Sequence, residues 1–191
     1  TLEIKASEMR LATALTNLAF VFTESNEDRR AESAFENTFL TTRAVEYDEY
    51  RVGTLKSMAI GWTEVSHLEC AQKAFEEACA IALNIEDSGI RTRVLTNLAT
   101  TLTNTGYSEQ AQSVFDKALN AALDFERSYF CVEALGELAI VLTELNYKEK
   151  TLSTIDKAYT IAKKIKDKID RDRGIDHVAV IQAQIGLSDH A

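Results

Sequence analysis

The segment Leu15-Thr16-Asn17-Leu18-Ala19 recurs as Leu55-Lys56-Ser57-Met58-Ala59 and as Leu95-Thr96-Asn97-Leu98-Ala99. It recurs again as Leu135-Gly136-Glu137-Leu138-Ala139 and as Ile175-Asp176-His177-Val178-Ala179, each time 40 residues on, without insertion or deletion. A second ladder runs Ala31, Ala71, Ala111, Thr151, and a third runs Phe35, Phe75, Phe115, Ile155. Three ladders in one register make the chain a tandem array, which constrains its fold more than any single motif. The repeats are 9–48, 49–88, 89–128, 129–168 and a partial 169–191, in one solenoid over 1–191.

Each repeat reads as two helices. In the third, Leu95, Leu98, Ala99 and Leu102 form the i, i+3, i+4, i+7 stripe of a first helix, A. Ala111, Val114, Phe115, Ala118, Leu119 and Ala122 form the stripe of a second, B. Between them stand Asn26, Ser66, Gly106, Asn146 and Gly186. Glycine and asparagine tolerate the left-handed conformation that ends a helix, so four of these predict C′ caps, with Ser66 the weak member. Asp28, Ser108 and Ser188 are the expected N-caps of B helices, whereas Leu68 and Lys148 cannot cap. The expected helices are 2–23, 28–45, 49–64, 68–85, 89–104, 109–125, 129–144, 149–166 and 170–186. Alanines at one point on every A helix (Ala19, Ala59, Ala99, Ala139, Ala179) and on B (Ala31, Ala71, Ala111) allow close crossings. The Phe35 ladder fills the space beside them.

These residues resemble the tetratricopeptide repeat family: Leu95, Leu98, Ala99, Leu102, Gly106, Ala111, Phe115 and Ala118 fall on its pattern, over essentially the whole chain. The resemblance implies an all-α right-handed solenoid of antiparallel helix pairs. There are two departures. The family's proline near the end of B is replaced by Arg43, Leu83, Leu123 and Lys163, in a chain with no proline at all. The repeat is also 40 residues long rather than 34. Both predict a second helix that runs on, by about 9 Å if all six residues are helical, or a longer connection.

Composition closes off other classes. A hydrophobic fraction of 46% excludes disorder, and no long charge-free apolar run offers a membrane span. The net charge of −9 argues against nucleic acid and anionic membranes as partners. A local basic surplus at Lys163, Lys164, Lys166 and Lys168 reads as a solvated helix end. Cys70, Cys79 and Cys131 match no disulfide or zinc spacing, which fits a reducing cytoplasmic setting. His67, His177 and His190 fall in no metal-ligand motif, and no phosphate loop or nucleophile elbow is present. The expectation is no catalytic residue, no metal and no cofactor. Arg51, Arg91 and Arg171 recur in register at the start of helix A, where a carboxylate is expected to offset their charge. Glu46 or Asp48, Glu86 or Asp87, and Asp167 are the candidates, bridging successive repeats.

By the resemblance, helix A lines a concave groove. The stripe facing it includes Asn17, Phe20, Lys56, Ile60, Arg93, Thr96, Asn97, Thr100, Asn104, Ile140 and His177, together with Glu133 and Glu137. Phe20, Ile60, Ile140 and Val180 form an apolar row that either lines the groove or packs against neighbouring helices. Asn17 and Asn97 offer amides to an extended backbone. The expected function is a noncatalytic scaffold that holds a protein, peptide or partner helix in this groove. The alternatives are a homo-oligomer assembled through the array ends, and a regulatory or sensor arm of a longer protein with a separate catalytic domain.

Overall fold

The computed structural model describes residues 2–125 and 128–186, with side chains from residue 10 onward. Among these the chain forms nine helices and no strand: α1 (Leu2–Glu24), α2 (Asp28–Ala44), α3 (Asp48–Glu64), α4 (Leu68–Leu83), α5 (Ser88–Asn104), α6 (Ser108–Leu123), α7 (Tyr129–Glu144), α8 (Lys148–Lys164) and α9 (Lys168–Gln184). The fold class is that of the helical repeats, all-α with consecutive helices paired.

The turn between A and B is three residues long, and its geometry follows from the residue in its middle. Asn26, Ser66, Gly106, Asn146 and Gly186 all adopt positive φ, between 56° and 88°. The N–H groups of Asn26, Ser66 and Asn146 donate to the carbonyls three residues back, and those of Glu27, His67 and Tyr147 to the carbonyls five back. This double closure satisfies carbonyls that the helix end leaves without partners. Ser66 takes the same conformation as its glycine and asparagine equivalents, so backbone closure prevails over side-chain preference there.

The expected N-caps are corrected. Asp28 and Ser108 are already the first helical residues, and the capping positions of α2, α4 and α8 fall to Glu27, His67 and Tyr147, none with a side-chain capping bond. The tight turn leaves no separate residue to cap: one residue closes helix A with its N–H and opens helix B with its carbonyl. Ser188 lies outside the described residues. Side-chain capping occurs instead at A helices, where Asp87 accepts from the N–H of Ile90 at 2.7 Å and Asp167 from that of Asp170 at 3.0 Å.

The end of helix B also differs from expectation. α2, α4, α6 and α8 stop at, or one residue past, the positions of the missing proline, and none runs on to 45, 85, 125 or 166. One or two residues past each end stands a further 40-residue ladder, Val45, Ile85, Phe125 and Ile165. Val45 and Ile165 leave the helix in extended conformation (φ −74°, ψ 127° and φ −64°, ψ 128°). Val45, Ile85 and Ile165 are buried and Phe125 half-buried. Burying the anchor against the core and extending the backbone are one event, favoured further where the residue is β-branched. The absence of proline therefore does not prolong B. The 40-residue period is shared by A and B helices of nearly equal length, 16 to 17 residues from α2 onward.

Two compact units are present. In the first (Thr1–Ile85 with Asn104–Tyr107), α1 pairs with α2 and α3 with α4. Ala19, Ala31, Ala59 and Ala71 are fully buried at the crossings. Phe35 is sealed beside them, its ring 5.8 Å from Phe20 and 5.4 Å from Trp62. Phe75 meets Tyr107 at 5.3 Å. Gly61 is required here, because a Cβ would lie 2.3 Å from Cζ of Phe35.

In the second unit (Glu86–Thr103 with Ser108–Ala191), α7, α8 and α9 pack around Val132, Leu135, Ala139, Ile155, Ala158 and Val178. Phe115 is sealed against Tyr147 at 5.5 Å. Ala99, Ala111 and Ala139 are fully buried. Ala179 is exposed, contrary to its ladder, because among the described residues no helix follows α9 to cover that face.

Buried threonines are accommodated locally. Thr38, Thr42 and Thr96 return their hydroxyls to the carbonyl four residues back, at 2.8–2.9 Å. The arginine ladder forms its contacts by three different routes. Arg51 pairs at 3.0 Å with Asp48, one of its expected carboxylates, but as an i, i+3 pair within α3 rather than as a bridge between helix pairs. Arg91 pairs at 2.6 Å with Asp124, beyond the end of helix B in its own repeat, and Arg171 donates to the carbonyl of Ile165 in the connector before its helix. The carboxylates expected for Arg91 and Arg171 are corrected: Asp87 and Asp167 accept backbone N–H groups as caps, and Glu86 offers Arg91 its carbonyl.

A candidate interaction cleft on the helix A face

On the helix A side of the second unit lies a cleft of about 500 Å3 between α5 and α7. α5 contributes Ile90, Arg93, Thr96 and Asn97, and α7 contributes Phe130, Glu133, Ala134, Glu137, Leu138 and Val141. Asp87 and Phe125 close it from the connectors. The repeat explains the pairing of its walls: Ile90 and Phe130, Arg93 and Glu133, and Asn97 and Glu137 are each 40 residues apart. Each pair therefore occupies equivalent points on successive A helices. Phe130 is 63% exposed, an unusual position for a phenylalanine whose neighbours Cys131 and Val132 are buried.

The cleft brings together five of the residues expected on the groove stripe, Arg93, Thr96, Asn97, Glu133 and Glu137. Arg93 and Asn97 are exposed, while Thr96 is buried with its hydroxyl committed to Thr92. Thr100 is half-buried, bonded to the carbonyl of Thr96, and Asn104 is exposed at the end of α5. Ile140 packs against the core of the second unit. His177 is half-buried on α9, its Nε2 sealed without a hydrogen-bond partner, 6.2 Å from the Tyr129 ring. In the first unit, Asn17 is exposed, and Lys56 and Ile60 are half-buried. Phe20 belongs with the Phe35 cluster. The apolar row thus packs against neighbours at Phe20 and Ile140, while Val180 stays 54% exposed. Sequence reasoning missed Ile90, Phe125 and Phe130, although the 40-residue spacing of the first and last was a signal.

The remaining chemistry-bearing groups are accounted for locally. Cys79 and Cys131 are buried and Cys70 half-buried, all as free thiols, and burial pushes Cys131 up from 9.0 to about 11. No group of three His, Cys, Asp or Glu among the described residues could hold a metal ion. Lys163 and Lys164 lie exposed in the last turn of α8, where they complement the helix dipole, and Lys163 sits 4.9 Å over the Tyr159 ring. No helix among the described residues is long and apolar enough to cross a membrane.

These features define an all-helical protein built of tandem helix pairs, with an amphipathic cleft on one face of its second unit. No protein-family model matches the chain, and no curated protein matches it. Among solved structures it is similar to the crystal structure of BtubC (BKLC) from P. vanneervenii, with 15% sequence identity and a TM-score of 0.46. That comparison covers 95% of this chain and 75% of the other.

Proposed function

We propose that the chain is a noncatalytic, cytoplasmic scaffold of the tetratricopeptide repeat type, binding a protein or peptide segment on the face of its A helices. The observation that carries this reading is the cleft between α5 and α7. It combines an apolar lining (Ile90, Phe125, Phe130, Leu138) with an exposed amide at Asn97. An extended segment needs both: apolar contact for affinity, and an amide such as Asn97 to meet its backbone. Helices hold all of these groups except Phe125 in place before the partner arrives, so little ordering entropy is lost on binding. Nucleic acid and membrane are not its partners on this reading, and no cofactor takes part.

The test is selection of displayed random dodecapeptides on the whole chain. Binders should lose about tenfold in affinity or more, roughly 1.4 kcal/mol, on Asn97→Ala/Phe130→Ser, with melting unchanged. Both side chains are exposed, so the fold does not depend on them. Binders indifferent to the double variant would move the site elsewhere.

A second reading, self-association of the chain, is favoured by α1. It exposes Leu11, Leu18 and Val21, at 52%, 44% and 54%. Residues spaced i, i+7, i+10 lie on one side of a helix, so this is a stripe rather than scattered exposure.

A further inference from the structure

Resting on the cleft being a binding site, we propose that its occupant is a partner segment carrying an arginine or lysine beside an apolar residue. The cation sits between Glu133 and Glu137, and the apolar side chain lies against Phe125 and Phe130.

The two walls of the cleft are not electrically equivalent. Glu133 and Glu137 stand one helical turn apart on α7, about 6 Å along its axis. Neither has a hydrogen bond or ion pair among the described residues, whereas Arg93 across the cleft already takes part in an interaction of its own. Asp87 adds a third carboxylate at the rim, its oxygen committed to the N–H of Ile90. Two like charges at i, i+4 mildly destabilise the helix that carries them. A cation placed between them removes that repulsion and gains two charge-assisted hydrogen bonds. A guanidinium, with its fork of donors, does this better than an ammonium.

The surroundings strengthen the preference. Glu133 is half-buried in a cleft that Ala134 and Leu138 also line, where a charge pair is screened less than on an open surface. Phe130 sits one turn before Ala134 and its ring is largely exposed, so an apolar residue next to the cation has a surface to cover. An acidic segment would meet three carboxylates, which makes the cleft selective by repulsion as well as by attraction. The net charge of −9 adds long-range attraction for a basic segment.

The experiment is the dodecapeptide selection described above, followed by fluorescence anisotropy of the selected peptides on the whole chain. The expected result is enrichment of Arg or Lys next to Leu, Ile, Phe or Trp, with affinity falling about tenfold or more on Glu133→Gln/Glu137→Gln. Affinity should also fall steeply with added salt, and persist in Glu109→Gln/Glu149→Gln, which removes the same charge from exposed B-helix positions. Equal loss in that control variant would reduce the effect to net charge and overturn the proposal. Peptides that depend on Asn97 and Phe130 but not on the two glutamates would overturn it while leaving the cleft as the site. Peptides indifferent to every cleft residue would overturn both. A solution mass that falls to the monomer value only in Glu133→Gln/Glu137→Gln would make the occupant a second copy of this chain, which also overturns it.

Discussion

Ser66 carries the least favourable backbone conformation among the described residues. Its φ of 62° is shared with two asparagines and two glycines at equivalent points, and serine tolerates it least. Ser66→Gly should therefore stabilise the chain by about 0.5–1 kcal/mol, after allowing for the entropy glycine loses on folding. Thermal melting checks this, and an unchanged or lower midpoint would refute it. Cys131 offers a second residue-scale test. Burial raises its thiol from 9.0 to about 11, so the unfolded chain ionises first as pH rises. The folded state binds the proton more tightly, and the resulting stability is complete below pH 9 and lost between about 9 and 11. Urea titrations on either side of pH 9 should show a steeper loss for the wild type than for Cys131→Ala. The comparison isolates the thiol from lysines and tyrosines that titrate in the same range.

At the scale of elements, close approach between helices decides which positions accept change. Alanine favours a helix over glycine by about 1 kcal/mol, yet Gly61→Ala should destabilise by about 1–3 kcal/mol. The new methyl would meet the sealed ring of Phe35, which has no exposed side to turn toward. A chemical denaturation midpoint that rises would contradict this packing. Arg91 ties the start of α5 to Asp124, just past α6, and is only 15% exposed. Arg91→Ala should lower stability by about 1–2 kcal/mol through lost charge-assisted bonds, while leaving affinity for cleft-binding peptides nearly unchanged. Loss of affinity without loss of stability would assign Arg91 to binding instead. Element boundaries were legible to within one or two residues because turn residues and ladders punctuate the chain every 40 positions. The misreadings sat at helix ends. Asp28 and Ser108 looked like caps because residue type alone does not show that a three-residue turn leaves no place for one. B helices looked longer because Val45, Ile85, Phe125 and Ile165 are as apolar as helical residues and differ only in backbone direction.

At the scale of the whole molecule, the exposed stripe Leu11, Leu18 and Val21 bears on assembly. Light scattering over a wide concentration range should show mass growing with concentration if α1 is an association surface. Leu18→Lys/Val21→Glu should then hold the chain at its monomer mass. A flat wild-type curve would dismiss association through α1 and leave the cleft reading untouched.

The sequence by itself determined the period, the paired helices, the left-handed turns and, Ala179 apart, the buried ladders of alanine and phenylalanine. All of these are set by local conformational preference and by spacing along the chain. It also placed Arg93, Asn97, Glu133 and Glu137 on one stripe. Only the tertiary structure decided that Phe20 and Ile140 turn into packing, that Ile90, Phe125 and Phe130 join the cleft, and that Glu133 and Glu137 stay unpaired among the described residues. Periodicity specifies which side of a helix a residue occupies, but depth and pairing depend on how far apart two helices stand. That distance is set by side chains remote in the chain.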